Sequence, residues 1–264
     1  MSKILKVSRK AIYSYQERKE VEDEMTKEVV NIFHESRCVY GARKIKVELG
    51  KKGHMVSRRR ISKIMKLNDC ISVYTSKKYR NHNKVVNEQM VKNLINREFN
   101  DRKPYEVIVS DLTYVRVNND WNYICVLLDL HNREFVGYSC GERKDAALVY
   151  KAFSRIKKNL STIQYFHSDR GSEFDNYLIE EVLETFNITR SLSHKGCPYD
   201  NAVAEAQFKI IKTEFVRNQR FESLDHLESS LGEYINWFNT KRIHSTLGYL
   251  SPTEYKNTLS SKFV

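Results

Sequence analysis

Between residues 22 and 67, apolar residues recur every three or four positions, a spacing typical of short helices. The pattern predicts one helix over 22–35, a second around Ile45–Leu49 and a third over Arg58–Leu67, with Ser57 as the N-cap of the third. The apolar stripe of the third helix comprises Ile61, Ile64, Met65 and Leu67, and its outer face carries Arg58, Arg59, Arg60, Lys63 and Lys66. Three short helices that end in a cationic one are typical of a helix-turn-helix, whose last helix contacts DNA phosphates and base edges.

The pattern changes at Tyr105 to runs rich in Val, Ile, Tyr and Leu, which are typical of buried strands. Three such runs follow one another, and beyond them helical and strand-like segments alternate. The predicted strands are 105–117, 121–130, 134–140, 163–167 and 188–193, and the predicted helices are 145–158, 175–186, 201–217 and 224–238. This order of elements predicts an α/β fold, in which a mixed sheet carries helices on its faces.

These patterns divide the chain into three expected regions. Residues 1–70 form an all-α, helix-turn-helix-like DNA-binding region. Residues 71–104 form a polar, basic connector with a short helix near Val91–Arg97, and the connector ends at Pro104. Residues 105–264 form the α/β core and a C-terminal helical extension.

The positive charge lies in the first two of these regions. The whole chain carries a formal charge of +12, but residues 1–104 hold 26 Lys and Arg against 12 Asp and Glu, a net +14. Residues 105–264 hold 19 against 21, a net −2. This asymmetry predicts a basic module that binds a polyanion, nucleic acid by default, joined to a near-neutral module. Solvated charges on helix faces are the alternative explanation.

Composition excludes several classes of protein. The 264 residues are 41% apolar and only 9 are Gly and 3 Pro, which is typical of a folded globular chain. The longest apolar run, Tyr123–Leu128, is far shorter than the roughly 20 residues of a membrane-spanning helix, so no membrane partner is expected. The five Cys are scattered and unpaired in spacing, which indicates reduced thiols in a cytosolic protein rather than a disulfide framework.

Three acidic residues stand where such a sheet brings side chains together. Asp111 interrupts an apolar strand, Asp169 ends a strand and Glu205 lies near the start of a helix. Carboxylates without a Cys or His cluster favour Mg²⁺ or Mn²⁺, and two such ions can activate an attacking oxygen and stabilise the leaving oxygen of a phosphodiester. Spacing alone leaves ordinary roles open, because one residue in eight is acidic: Asp169 can cap the turn before Gly171, and Glu205 can pair with Lys209.

The stretches around these acids resemble the catalytic blocks of insertion-sequence transposases with a retroviral-integrase-type core. The stretches are Val109–Val115 (VSDLTYV), His167–Gly171 (HSDRG) and Tyr199–Glu205 (YDNAVAE), and 35 residues separate Asp169 from Glu205, as in this DDE family. Phe238–Tyr249 resembles the family's C-terminal block, and Tyr40–Ile45 and Val56–Ile61 resemble its helix-turn-helix segment. Over about residues 22–255 the chain is therefore similar to second-frame transposases of the IS3 family, close to the IS150 group.

This resemblance implies an RNase H-like core in which Asp111, Asp169 and Glu205 are the catalytic residues and the ligands of two Mg²⁺ or Mn²⁺ ions. It also implies DNA cleavage and strand transfer by a homo-oligomer on double-stranded DNA, which comprises the element's terminal inverted repeats and the target. An association with the upstream-frame product and a nucleoid-associated location in the bacterial cytoplasm are further implications. Two positions depart from the family pattern: Ile108 replaces a usual tryptophan and Arg170 a common glutamine.

Further residues are candidates for contact with DNA. Lys209 and Lys212 share a helical face with Glu205, so Lys212 either steadies a DNA phosphate beside the metal ions or is a solvated charge. Asn201 either orients Glu205 or DNA, or helps to start the helix. The full set of DNA-binding candidates is Arg43, Lys44, Arg58, Arg59, Arg60, Lys63, Asn201, Lys209 and Lys212.

The histidines have less definite roles. His167 either supports the metal site or is an ordinary strand-end histidine, and Arg242 and His244 either serve the site or fix the C-terminal helix. The His and Cys residues between 34 and 70 lack the paired spacing of an integrase zinc domain, so no zinc site is predicted.

Two alternatives to a transposase stay open at this point. One is a structure-specific nuclease on the same fold, which hydrolyses DNA without joining it. The other is a non-catalytic DNA-binding repressor with an inactive core, and the presence of all three acids argues against it.

Overall fold

The structure is a computed structural model that describes residues 24–75, 102–193 and 202–260. The side chains of residues 202–205, 218 and 260 lie outside the description. The chain divides into two compact units, Met1–Lys78 and Tyr79–Val264. The short helix predicted near Val91–Arg97 falls outside the described residues.

The N-terminal unit contains the three predicted helices: α1 over 24–35, α2 over Ala42–Lys51 and α3 over Arg58–Leu67. The predicted N-cap of α3 is confirmed, because the Ser57 hydroxyl accepts a hydrogen bond of 3.2 Å from the Arg60 amide. The buried side chains of the helices form a small core: Val29, Ile32, Phe33, Ile45, Leu49, Ile61, Ile64 and Met65.

The prediction of the apolar stripe on α3 is wrong at one residue. Leu67 is 73% exposed, whereas Ile61 is fully buried. At 100° per residue, Leu67 lies about 120° around the helix from Ile61, so it stands at the edge of the stripe in the last turn. Helical spacing alone therefore overestimated the width of the buried face.

The C-terminal unit contains a mixed five-stranded sheet, as predicted. Its strands are β1 (Val107–Val117), β2 (Asp120–Asp129), β3 (Phe135–Gly141), β4 (Tyr165–Ser168) and β5 (Thr189–Leu192). The strand order is β3-β2-β1-β4-β5, in which β2 is antiparallel to both β1 and β3, and β4 and β5 are parallel to β1. The long apolar hairpin therefore lies beside the two short parallel strands, with β1 at the centre.

Two helices pack in one core with the sheet: α4 (Ala146–Phe153) and α5 (Tyr177–Thr185). Ile108 and Phe166 from the strands meet Phe153 from α4, and the Phe153 and Phe166 ring centroids are 4.9 Å apart. Helix α4 approaches β3 so closely that a Cβ at Gly137 would lie 2.4 Å from the Ala152 carbonyl oxygen. Glycine at this position is therefore a packing requirement.

The remaining helices are α6 (Ala202–Glu214), α7 (Leu224–Thr240) and α8 (Pro252–Ser260). Helix α6 contacts β1 and α7 contacts β3 and α8. Helix α8 was not predicted. The helix predicted over 145–158 ends at Phe153, because the backbone tightens into a turn in which the Ile156 amide donates to the Phe153 carbonyl at 3.0 Å.

Candidate active site

Asp111, within β1, and Asp169, directly after β4, occupy matching register positions on two neighbouring parallel strands. Strands β1 and β4 pair Val107 with Tyr165 and Val109 with His167. Continuing this register by two residues sets Asp111 opposite Asp169, which directly follows β4. Because side chains two residues apart share a face and neighbouring strands lie about 4.8 Å apart, the two acids are neighbours on one face of the sheet. Both are half-buried.

Backbone amides hold both carboxylates. The Leu112 amide donates to Asp111 Oδ1 at 2.7 Å, and the Gly171 amide donates to Asp169 Oδ1 at 3.0 Å. Two half-buried carboxylates side by side fit a hard divalent cation such as Mg²⁺ or Mn²⁺, which prefers oxygen ligands.

An ion pair that the sequence did not reveal lies beside these two acids. Lys144 Nζ is 2.8 Å from Oε1 of Glu173, whose side chain is only 3% exposed. Burial lowers the pKa of Lys144, but the hydrogen bond to Glu173 and the negative charges of Glu173, Asp169 and Asp111 outweigh it, so the pKa is raised overall. Lys144 is therefore a cation that interacts electrostatically with both site carboxylates.

Gly171 makes room for this ion pair. A Cβ at Gly171 would lie 2.3 Å from Glu173 Oε1, closer than any side chain permits. The segment from Asp169 to Glu173 therefore folds tightly, with one backbone amide on Asp169 and one small residue against the buried acid.

Glu205 lies in the first turn of α6, the helix that contacts β1. The position near a helix start is as predicted, but its side chain lies outside the description, so the convergence of all three acids remains a prediction. Within the described residues, no group of three or more His, Cys, Asp or Glu side chains is placed to hold a metal ion.

Comparison with known proteins decides the family. Two integrase core domain models match residues 101–198 and 205–259, and an HTH-like domain model matches residues 20–78. The transposase for insertion sequence element IS904 of Lactococcus lactis is 31% identical over 243 residues, which cover 90% of this chain and 96% of that protein. The chain belongs to the IS3 family of insertion-sequence transposases.

A further relative and a solved structure are also similar to this chain. The transposase InsK for IS150 of Escherichia coli, itself described as putative, is 30% identical over 89% of this chain and 83% of its own length. The catalytic core domain of BIV integrase is 19% identical with a TM-score of 0.45, over 61% of this chain and 99% of that one. The family models and the mixed five-stranded sheet confirm the expected RNase H-like integrase core preceded by a helix-turn-helix-like region, and neither a nuclease nor a repressor is favoured.

A buried ion pair anchors the C-terminal end of α6. The Arg242 guanidinium donates to both carboxylate oxygens of Glu214, with Nη2 at 2.6 Å from Oε1 and Nε at 2.8 Å from Oε2. The Tyr234 hydroxyl donates to Glu214 Oε2 at 3.0 Å, and Arg242 Nη1 lies 3.1 Å from His244 Nε2. This network fixes α6, which carries Glu205, to α7 and the segment that follows it.

The remaining candidates in the core are placed as follows. His167 is fully buried and its Nδ1 lies 2.9 Å from the Ser191 hydroxyl, which favours a structural role between β4 and β5. The Arg170 Nε donates to the Ser193 carbonyl at 2.9 Å, and Ile108 is fully buried in the core. The two departures from the family pattern therefore contribute to packing and strand contacts. His244 packs edge-on against Phe238, which favours the role of fixing the C-terminal segment.

The DNA-binding candidates differ in exposure. Arg43, Arg58, Arg59, Lys63 and Lys209 are exposed, whereas Lys44, Arg60 and Lys212 are half-buried. Lys44 Nζ lies 4.9 Å from the Tyr40 ring centroid, and Lys212 Nζ lies 5.4 Å from that of Tyr114. Asn201 lies outside the described residues. Across 24–75, 102–193 and 202–260, no helix combines the length and apolarity that a bilayer crossing requires.

Proposed function

We propose that this transposase cleaves DNA at the ends of its insertion sequence and transfers the freed strands to target DNA, using Asp111, Asp169 and Glu205 as the ligands of two Mg²⁺ or Mn²⁺ ions. DNA transposition follows from the family; the residues, the ions and the steps are the proposal. The observation that carries it is the matching register of Asp111 and Asp169 on β1 and after β4. Glu205 would join them from α6.

The described residues fix the orientation and the electrostatic surroundings of the two proposed aspartate ligands. Backbone amides at Leu112 and Gly171 orient the two aspartates. Lys144 adds a positive charge that interacts with the same two carboxylates. Bound divalent ions would activate the attacking oxygen and stabilise the leaving oxygen of the phosphodiester.

The reaction would have two steps. The second step, which joins the strands, would leave the number of phosphodiester bonds unchanged. In the first, water attacks the phosphorus at the element end; one P–O bond forms, the bond to the 3′ oxygen breaks and a free 3′ hydroxyl remains. In the second, this hydroxyl attacks a phosphodiester of the target, loses its proton and displaces another 3′ oxygen. No covalent protein–DNA intermediate is needed.

The N-terminal unit would bind the DNA of the terminal repeats. Its third helix presents the exposed Arg59 and Lys63 on the side opposite the buried Ile61 and Ile64, and Arg58 is exposed at its start. Cationic side chains on such a helix neutralise phosphates and contact base edges. In this proposal, residues 1–70 form the DNA-binding region, residues 71–104 a basic connector and residues 105–264 the catalytic core.

The wider assembly is also part of the proposal. Each element has two ends, so a homo-oligomer on double-stranded DNA would bring both to one target. The upstream-frame product of the same element is a further proposed partner, and the nucleoid of the bacterial cytoplasm is the proposed location. The charge of +14 over residues 1–104 supports a polyanionic partner.

The experiment that tests this function incubates the full chain with Mg²⁺, labelled DNA that carries the element ends and an unlabelled target plasmid. We expect cleaved ends first and labelled strands covalently joined to the plasmid later. Cleavage without any joining would indicate a nuclease. Binding of the ends without cleavage, in Mg²⁺ and in Mn²⁺, would indicate a repressor.

A further inference from the structure

Two aromatic side chains lie exposed side by side at the end of the β1–β2 hairpin. Tyr114 is 53% exposed and Trp121 is 52% exposed, and their rings meet edge to face with centroids 5.1 Å apart. They belong to facing strands, in which Arg116 pairs with Trp121. Large exposed aromatics that lie together form an apolar surface, which in water favours a partner.

Cations flank both rings. The Arg116 guanidinium carbon lies 5.3 Å from the Trp121 ring centroid, and Lys212 Nζ lies 5.4 Å from the Tyr114 ring centroid. Tyr114, Arg116, Trp121 and Lys212 are here named the hairpin patch. Flat aromatic faces beside fixed cations are complementary to a nucleic-acid base and its flanking phosphates.

A neighbouring segment adds further positive charge. The Asn118 amide at the hairpin turn donates to the Phe221 carbonyl at 2.9 Å, and Val117 forms a bridge with Phe221. Arg220, the residue before Phe221, is exposed. The end of the hairpin is thereby joined to the exposed basic segment that follows α6.

The hairpin patch lies near the proposed metal site along both elements that carry it. Tyr114 follows Asp111 by three residues on β1, about 10 Å along the strand at 3.3 Å per residue, and because side chains alternate it lies on the opposite face of the sheet. Lys212 follows Glu205 by seven residues on α6, about 10 Å at 1.5 Å per residue. An advance of about 10 Å along either element corresponds to roughly three nucleotides at 3.4 Å per step of a duplex strand, and Lys212, on the same face of α6 as Glu205, lies over the Tyr114 ring and links the site to the patch.

We propose that the hairpin patch binds unpaired DNA bases near the cleaved phosphodiester, one stacked on Trp121 and another on Tyr114, while Arg116 and Lys212 contact the adjacent phosphates. This inference rests on the proposed function, because it assigns the ligand to DNA. A base inside a duplex already stacks on its neighbours, so only an unpaired or extruded base can use the aromatic faces. The patch would therefore hold a frayed or distorted end.

Trp121 supplies its own spectroscopic probe. The chain has two tryptophans, and Trp237 is only 9% exposed, so a base that stacks on the protein surface would quench Trp121 selectively. The titration uses the full chain with Ca²⁺ in place of Mg²⁺, once with oligothymidine and once with a blunt duplex. We expect saturable quenching by oligothymidine that Trp121→Phe removes.

Affinity measurements on variants separate stacking from simple stabilisation of the hairpin. Trp121→Ala and Tyr114→Ala should each weaken oligothymidine binding roughly 5- to 150-fold, the range measured for the loss of one stacking aromatic. Blunt-duplex affinity should change less than twofold. Trp121→Phe keeps an aromatic face and should retain most of the affinity, and Tyr177→Ala, which removes an 83% exposed tyrosine on α5, is the control.

Three results would overturn the inference. They are equal loss of affinity for oligothymidine and duplex, unchanged oligothymidine affinity in Trp121→Ala, and a DNA-free dimer that Trp121→Ala dissociates. The last result would assign the patch to a second copy of the chain. The outcome is independent of strand transfer: an inactive core with normal Trp121 quenching contradicts the proposed function alone, and an active core without quenching contradicts the hairpin patch alone.

Discussion

Lys144 and Glu173 form an ion pair with 2.8 Å between Nζ and Oε1, in which the acid is buried and the lysine is 45% exposed. The pair joins the loop before α4 to the tight segment that follows Asp169. Since Glu173 lies against Gly171, whose amide binds Asp169, the pair also supports the position of a site carboxylate. It connects the stability of the core to the geometry of the site.

Replacing Lys144 by Met should therefore destabilise the core. The buried Glu173 carboxylate loses its cation, and we expect the free energy of unfolding to fall by about 1–2 kcal/mol, less than for a fully buried pair because Lys144 is partly solvated. Urea unfolding monitored by circular dichroism measures the loss. Lys158→Met, at an exposed position, is the control.

Glu173→Gln distinguishes charge from hydrogen bonding in the same pair. The amide keeps a bond to Lys144 without burying a charge, so we expect a smaller loss of stability than in Lys144→Met. A loss larger than in Lys144→Met would contradict the account of this ion pair.

Arg242→Met should be far more damaging, because Glu214 and Arg242 are both buried. Removing one partner of a buried pair leaves an uncompensated charge, and we expect a loss of about 3–5 kcal/mol in the free energy of unfolding. The double variant Glu214→Gln with Arg242→Met removes that charge and keeps an acceptor for the Tyr234 hydroxyl. It should recover at least half of the loss in urea unfolding, and no recovery would refute a charge-based explanation.

Sequence patterns predicted the elements of the core where apolar residues dominate. Strands β1, β2 and β3 begin and end within two residues of their predicted bounds, because both faces of these strands are largely buried. Helix α8 was missed because few of its residues are apolar. Its start nevertheless carries a signal, since Ser251 and Glu254 form a reciprocal capping box around Pro252.

The site was predictable to a smaller extent. Asp111 interrupts β1 and Asp169 directly follows β4, and the parallel pairing of these two strands makes the positions neighbours. The ion pairs were not predictable, because Lys144 lies 29 positions from Glu173 and Glu214 lies 28 positions from Arg242. Only the three-dimensional packing of loops and helices joins partners so distant, and no periodicity encodes it.

Binding and chemistry should respond to different substitutions. Glu205→Gln keeps the size of the side chain but weakens a metal ligand, so we expect cleavage to be lost while binding of the element ends stays within twofold. Replacing Arg58, Arg59 and Arg60 by Ala should instead weaken binding. Each lost phosphate contact reduces the slope of log affinity against log salt by about 0.9, and each lost guanine contact costs about 1–3 kcal/mol.

Saturating DNA provides the control for this comparison. It should partly restore cleavage by the triple Arg variant and never by Glu205→Gln. Unchanged affinity and salt slope in the triple variant would show that α3 is not the recognition helix.

Metal dependence should follow the chemistry of oxygen ligands. We expect cleavage with Mg²⁺ or Mn²⁺, and DNA binding but little cleavage with Ca²⁺, whose larger and more flexible coordination shell fits the transition state poorly. A denaturing gel of labelled end DNA measures the cleavage of each strand. Full cleavage in excess EDTA would exclude a divalent ion from the reaction.

The central claim is that Asp111, Asp169 and Glu205 surround one metal site. The most direct test binds Fe²⁺ in place of Mg²⁺ and adds ascorbate and peroxide, so that hydroxyl radicals cut the backbone close to the ion, and the fragments are mapped by mass spectrometry. The account predicts cuts near all three residues, and loss of all three sets of cuts in Asp111→Asn. Cuts near Asp111 and Asp169 with none near Glu205, or cuts that persist in Asp111→Asn, would contradict it.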